Sequence, residues 1–233
     1  MHHRRAVTAL LYALCLSTGA AAYAGDITGN VSFAGPLPQR PKVPVTIDQY
    51  ICGKEKDADD LVLGPKGGVQ HAVVWIDNPP AGAKWPAELP KVEMDQKGCV
   101  FVPRVVVVPV GGTVDFLNSD RLLHNLHGLS KDNAQFNRTQ PRGRTIPITF
   151  TKPEFVPITC DLHSWMKSWV VVAEHPYYAV TDAAGGFRIA DVPPGRYRLR
   201  MWQEALGERT QEVQVGAQGA VASFEMKALK ASP

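Results

Sequence analysis

The heptapeptide Cys160-Asp-Leu-His163-Ser-Trp-Met166 lies between two strand-like runs, Val156-Pro157-Ile158-Thr159 and Trp169-Val170-Val171-Val172. A tight loop between paired strands can aim a thiolate, an imidazole and a thioether at one point. A second imidazole, His124, follows the run Thr113–Leu117 and the turn Asn118-Ser119-Asp120. The fold must therefore bring two strand ends together if these four donors are to share an ion. A Cys plus two His makes three strong bonds, and a distant Met completes the shell as a weak axial donor. Soft sulfur ligands in that set select copper. Zinc is the alternative metal, since it accepts Cys and His, but it gives Met no role. Each donor alone also fits a plain packing role, Cys160 as a buried thiol and Met166 as a core filler. Their order at successive strand ends argues for the shared ion.

The amino terminus carries no fold information. His2-His3-Arg4-Arg5 is a positive segment, Ala6–Leu16 a short apolar one, and Ala22-Tyr23-Ala24 a small-residue cleavage site. Together they read as a signal peptide spanning 1–24, with export to the periplasm. The apolar run is short for a bilayer span, so stable membrane insertion is not expected. Losing the leader's two arginines takes formal charge from +3 to about +1. That leaves no electrostatic footprint for nucleic acid.

Cleavage also removes Cys15, one of four cysteines, leaving Cys52, Cys99 and Cys160. In an oxidising compartment two of three should pair. If Cys160 holds metal, Cys52 and Cys99 form the disulfide. The other reading makes Cys52 or Cys99 a ligand, but neither has a His or Met at loop spacing.

Short β-branched runs broken by 19 prolines and 20 glycines point to an all-β chain. Strands are expected over Ile27–Phe33, Val69–Ile76, Val105–Val110, Thr113–Leu117, Ile146–Phe150, Val156–Cys160 and Trp169–Ala173. Residues Asp132–Arg144 read as a polar loop, and Trp202–Leu206 as the one helical turn. Beyond Glu174, Ala179–Ile189 has a hairpin signature around Asp182-Ala183-Ala184-Gly185-Gly186. Tyr197, Leu199 and Met201 alternate with arginines, which gives one apolar strand face. Strands over Glu212–Val215 and Ala222–Met226 follow. The tail is small for a sandwich of its own. It is expected to join the amino-terminal strands, with the metal-binding part inserted between them. The resulting layout is 25–78 with 176–228 in one unit, 79–175 in the other, and 229–233 as a tail.

From Gly98 to Ala173 the chain resembles cupredoxins. The Cys-x2-His-x2-Met loop is similar to the short ligand loop of the amicyanin type. Phe101-Val102-Pro103 to Val110, Gly111-Gly112-Thr113-Val114-Asp115-Phe116, Asn118-Ser119-Asp120 and His124-Asn125-Leu126-His127 match the family's strand, turn and first-ligand pattern. The resemblance implies a Greek-key β-sandwich with one mononuclear type 1 copper on His124, Cys160, His163 and Met166. It implies that Asn125 ties the ligand loops by hydrogen bonds. The loop departs from the pattern in lacking a proline before His163. His127 lies three residues from His124, on the opposite face of a strand, and reads as a non-ligand. His71 reads as a partly buried structural histidine.

The tail from Ala179 to Leu199, with Gly25–Val31, resembles carboxypeptidase-regulatory-like domains. That implies a second, smaller, transthyretin-like sandwich of the carbohydrate-binding-like group, discontinuous in sequence. Its default role is a scaffold or docking module for protein or carbohydrate. Trp202 reads as core or interface rather than a sugar platform.

The expected function is one-electron transfer with a redox protein as donor and acceptor. His163 near the surface would pass the electron, with Leu162 and Trp165 as a docking patch. Copper buffering or delivery is the alternative, and a binding module with a vestigial site is another. No catalytic residue is expected. Seven histidines, two of them in the leader, are too few for the extra copper sites of a copper enzyme.

Overall fold

The computed structural model describes residues 24–36 and 38–227. The leader expected over 1–24 (apart from Ala24) and the tail 229–233 lie outside the described residues. Strands are almost the only regular secondary structure among the described residues, arranged as two β-sandwiches. Among these residues no helix is long and apolar enough to cross a membrane.

One sandwich pairs a three-stranded sheet with a four-stranded one. The first has the order Gly186–Val192, Gly25–Phe33, Ala220–Met226. The second has the order Tyr178–Val180, Val73–Ile76, Gly195–Gln203, Gly207–Val215. Ile27, Val31, Val74, Ile76, Ile189, Leu199, Met201 and Phe224 fill the space between them. The amino-terminal strand pairs antiparallel with Gly186–Val192 and parallel with Ala220–Met226, so this sandwich is built from both ends of the chain.

The other sandwich has a five-stranded sheet ordered Phe136–Gln140, His124–Gly128, Glu154–Thr159, Lys167–Ala173, Val105–Pro109. Its partner sheet is ordered Ile146–Thr149, Thr113–Asn118, Val92–Gln96, Phe101–Val102. Met94, Val108, Val114, Phe116, Leu126, Phe150, Val156, Ile158, Val170 and Val172 form its core.

The two sandwiches meet back to back. Val105 and Val171 from one face Val73 and Trp75 from the other, among Phe155, Trp169, Tyr178 and Trp202. The unbroken apolar run Val105–Val108 follows from this: Val106 and Val108 face the inner core, Val105 and Val107 the contact between sandwiches. A strand covered on both faces loses the alternation of a half-exposed one. Trp202 lies in this contact, with its ring centroid 5.0 Å from Phe155 and 4.9 Å from Trp169.

Several local expectations are corrected. The polar stretch Asp132–Arg144 contains the strand Phe136–Gln140. An edge strand exposed on one side carries few apolar residues, and Phe136 is its one large buried one. The strand Val92–Gln96, with charges at Glu93 and Asp95, was not foreseen. No helix forms at Trp202–Leu206, where a strand runs to Gln203 and a turn follows. A helix forms instead at Gln49–Cys52. The Ala179–Ile189 segment is not a hairpin. Tyr178–Val180 and Gly186–Val192 belong to opposite sheets, and the intervening turn crosses between them. The Asp182 carboxylate holds that turn by accepting the Ala184 and Gly186 N–H groups, each at 2.8 Å. Within 25–78, the segment from Val43 to Lys56 packs elsewhere. Val45 and Cys52 are buried in the metal-side core, where the Cys52–Cys99 disulfide holds them.

Candidate metal centre

Cys160 directly follows the strand Glu154–Thr159, and Met166 directly precedes Lys167–Ala173. Those strands pair in register from Glu154–Val172 to Thr159–Lys167, so the loop between them is short and pinned at its base. Inside it the Met166 N–H donates to the His163 carbonyl at 2.8 Å, and the Cys160 N–H to the Met166 carbonyl at 3.3 Å. His124 opens the neighbouring strand His124–Gly128, which pairs with Glu154–Thr159. Asn125 joins the two. Its N–H donates to Cys160 Sγ at 3.3 Å, and its side-chain oxygen accepts the Asp161 N–H at 2.9 Å.

These contacts bring three donor atoms together. His124 Nδ1 and His163 Nδ1 lie 3.0 Å apart, and Cys160 Sγ is 3.9 Å from the first and 3.5 Å from the second. Both imidazoles are fully buried, and Cys160 and Met166 are nearly so. With metal–nitrogen bonds of about 2.0 Å and metal–sulfur bonds of about 2.3 Å, donors around one ion sit roughly 3.4–3.8 Å apart. The three separations bracket that range. Met166 is buried in the same core as Cys160.

The outer nitrogens explain why the inner ones face each other. His124 Nε2 lies 2.9 Å from Asp120 Oδ2, and His163 Nε2 lies 3.0 Å from Asp48 Oδ2. A carboxylate oxygen accepts, so each Nε2–H donates outward and each ring turns its Nδ1 inward, the nitrogen available to a metal. At 3.0 Å the two Nδ1 atoms share a proton in a hydrogen bond, and a metal ion would take that proton's place. Burial pushes the His124 pKa down, against the opposing pull of its Asp120 hydrogen bond, and keeps the ring in its neutral, ligating form. Burial pushes the Cys160 thiol up, so it keeps its proton until a bound cation displaces it. The donor set therefore fits a soft or borderline metal.

His127 is outside this group. Its Nδ1 lies 2.8 Å from Asp161 Oδ1, on the outer side of the strand. Cys99, Asp120 and His124 also come close together, but the Cys99 sulfur is committed to Cys52. His163 is not near the surface, a correction to the expected electron exit. The segment carrying Asp48 covers its outer edge, and the ring has no exposure. Trp165 is half-buried and donates its indole N–H to the Cys99 carbonyl at 3.0 Å, while Leu162 is 45% exposed. Sequence reasoning missed Asp48 and Asp120 as partners of the site. Asp120 had a faint signal, sitting four residues before His124; Asp48 had none.

The whole is a two-sandwich β protein with a buried cluster of one cysteine sulfur and two imidazoles at the end of one sandwich. The chain is similar in fold, over part of its length, to a copper-containing nitrite reductase from Thermus scotoductus, at 29% identity and a TM-score of 0.35. That match covers 42% of this chain and 25% of the other, so the chain spans a quarter of the reductase's length. A purple cupredoxin from Nitrosopumilus maritimus matches at 20% identity and a TM-score of 0.32, covering 36% of this chain and all of the other. Amicyanin from Paracoccus versutus matches at 22% identity and a TM-score of 0.33, covering 43% and 97%. Residues 141–223, less than half of the chain, match the family described as polysaccharide lyase family 4, domain II. That match runs across both sandwiches and differs from the family the tail resembles. No curated protein matches the chain.

Proposed function

We propose that this chain is an exported copper protein that carries single electrons. His124 Nδ1, Cys160 Sγ and His163 Nδ1 would hold one type 1 copper strongly, with Met166 as a weaker fourth donor. The observation that carries the reading is the convergence of two Nδ1 atoms on one buried sulfur, each imidazole being held from behind by a carboxylate. Copper bound there supplies a one-electron couple between Cu(I) and Cu(II). The residues around it do the rest. Paired strands fix the loop, so the donors move little when the charge changes. The Asn125 N–H stabilises the thiolate, and the closed cluster excludes water.

We assign no catalytic residue. The partner is a redox protein met through a small, transient interface, and Leu162, exposed beside His163, lies at its centre. The second sandwich serves as a scaffold or docking module for protein or carbohydrate. The leader directs the chain to the periplasm. The test is optical. Protein loaded with copper and oxidised to Cu(II) should absorb intensely through thiolate-to-copper charge transfer, and Cys160→Ala should lose the band completely. A wild type that stays colourless while holding Cu(II) would overturn the proposal.

The burial of His163 favours a second reading, a protein that buffers or delivers copper. A covered imidazole edge slows electron exchange more than it weakens binding. Slow self-exchange combined with ready copper transfer to an acceptor would select this reading over the carrier.

A further inference from the structure

Asp48 stands at the N-cap of the helix Gln49–Cys52, yet its side chain caps nothing there. An N-cap aspartate ordinarily accepts an N–H from the first turn. Here its carboxylate accepts instead from His163 Nε2, 115 residues away. The backbone is left-handed, at φ 55°, a conformation that costs most residues energy and that Asp and Asn tolerate best. The Asp48 carbonyl accepts the Ile51 and Cys52 N–H groups at 3.0 and 2.9 Å, which ties the residue to the half-cystine four positions on.

The other end of the bridge reaches the second imidazole. The Cys99 and Gly98 N–H groups donate to the Asp120 carboxylate at 2.8 and 2.6 Å. The same carboxylate accepts from His124 Nε2. A closed circuit results: His163, Asp48, Cys52, Cys99, Asp120, His124. Trp165 adds a cross-tie from the ligand loop to the Cys99 carbonyl.

We infer that Asp48 is a positioning residue for His163, and that the Cys52–Cys99 bridge anchors the carboxylates behind both imidazoles into one frame. The frame holds the two Nδ1 atoms convergent before an ion arrives. It also places a negative charge behind His163, which favours the higher oxidation state of a bound copper. The inference rests on the ligand reading given above. A bridge that only stabilised the sandwich would not need to sit between these two aspartates.

The test measures Cu(I) affinity of the full chain by competition with a chromogenic Cu(I) chelator, alongside thermal unfolding of the copper-free protein and the reduction potential of the loaded one. Asp48→Ala should lose about 10–100-fold in affinity, the usual cost of removing a partner behind a metal-binding imidazole. The copper-free unfolding midpoint should stay near wild type in Asp48→Asn and fall modestly in Asp48→Ala, where Ala strains the left-handed backbone. Asp48→Asn keeps an acceptor and suits the left-handed backbone. It should recover most of the affinity and raise the potential. Cys52→Ala/Cys99→Ala should lose affinity as Asp48→Ala does. Because that variant is also less stable, Asp48→Ala decides the matter. Affinity of Asp48→Ala within two-fold of wild type overturns the inference and leaves the ligand reading intact. Wild-type affinity in Asp48→Asn with an unchanged potential also overturns it, since Asp48 would then only fill space. A wild type that binds no Cu(I) removes the ligand reading first, and the inference with it.

Discussion

At the scale of single residues, burial decides which side chains hold their ordinary protonation. His71 sits in a left-handed turn, at φ 64°, just before the strand Val73–Ile76, rather than within the strand. Burial, and then the nearby charge of Arg104, push its pKa from 6.5 down to about 4. Between those values the unfolded chain binds a proton that the folded chain refuses. Stability is therefore complete above about pH 6.5 and falls as pH drops toward 4. Allowing for solvent screening, His71 accounts for about 1–2 kcal/mol of loss at pH 5. The unfolding midpoint should fall by a few degrees between pH 7 and pH 5. In His71→Asn, which suits the same backbone, the fall should be shallower. His124 and His175, both lowered by burial, act in the same direction and leave a residual slope. An identical slope in wild type and His71→Asn would remove His71 from this account.

At the scale of elements, the strand His124–Gly128 shows how packing positions a ligand. Gly128 pairs with Phe136 on one side and Ile158 on the other. A Cβ at Gly128 would come within 2.3 Å of the Phe136 ring. That ring packs near Phe116 and Phe150, with centroids 6.2 and 6.3 Å away, so it has little room to retreat. Gly128→Ala should cost about 1–3 kcal/mol, the usual range for overpacking a filled core. Chemical denaturation should measure it, and adding Phe136→Leu should restore part of the loss. The edge strand holding Phe136 was hidden in the sequence by its polar residues. The neighbouring strand Glu154–Thr159 was plain, because its alternation is that of a half-buried strand. Hydrophobic pattern reports burial, and an edge strand buries too little to leave one.

At the scale of the whole molecule, one ionic cluster joins the sandwiches. Glu204 sits in the turn after Gly195–Gln203 and reaches across to the metal-side sandwich. It accepts from Arg104 Nη2 at 2.7 Å and Trp169 Nε1 at 2.9 Å, and pairs with Lys167 at 2.6 Å. Desolvation raises its pKa, but Lys167, Trp169 and Arg104 together outweigh that and hold the carboxyl below its usual range. Arg104 is 5% exposed and also pairs with Asp59. Removing one partner of such a buried group costs about 3–5 kcal/mol. Calorimetry should find one cooperative transition in wild type and two in Glu204→Ala, as the sandwiches uncouple. A single transition that merely shifts to lower temperature would mean that the contact of Trp75, Val105, Val171 and Trp202 couples them without the ions.

The sequence by itself determined what lies close along the chain. Three donors fall within seven residues, so covalent connectivity nearly places Cys160, His163 and Met166 on one loop. The bridge between Cys52 and Cys99 followed only once Cys160 was reserved for a metal. Only the tertiary structure decided that Asp48 would lie behind His163 and bury it, and that Asp120 would be locked to Cys99. An aspartate in an exposed-looking segment carries no local mark of its partner. Its role depends on which distant backbone folds over it, and that is fixed by long-range packing and a bridge closing 47 positions of chain.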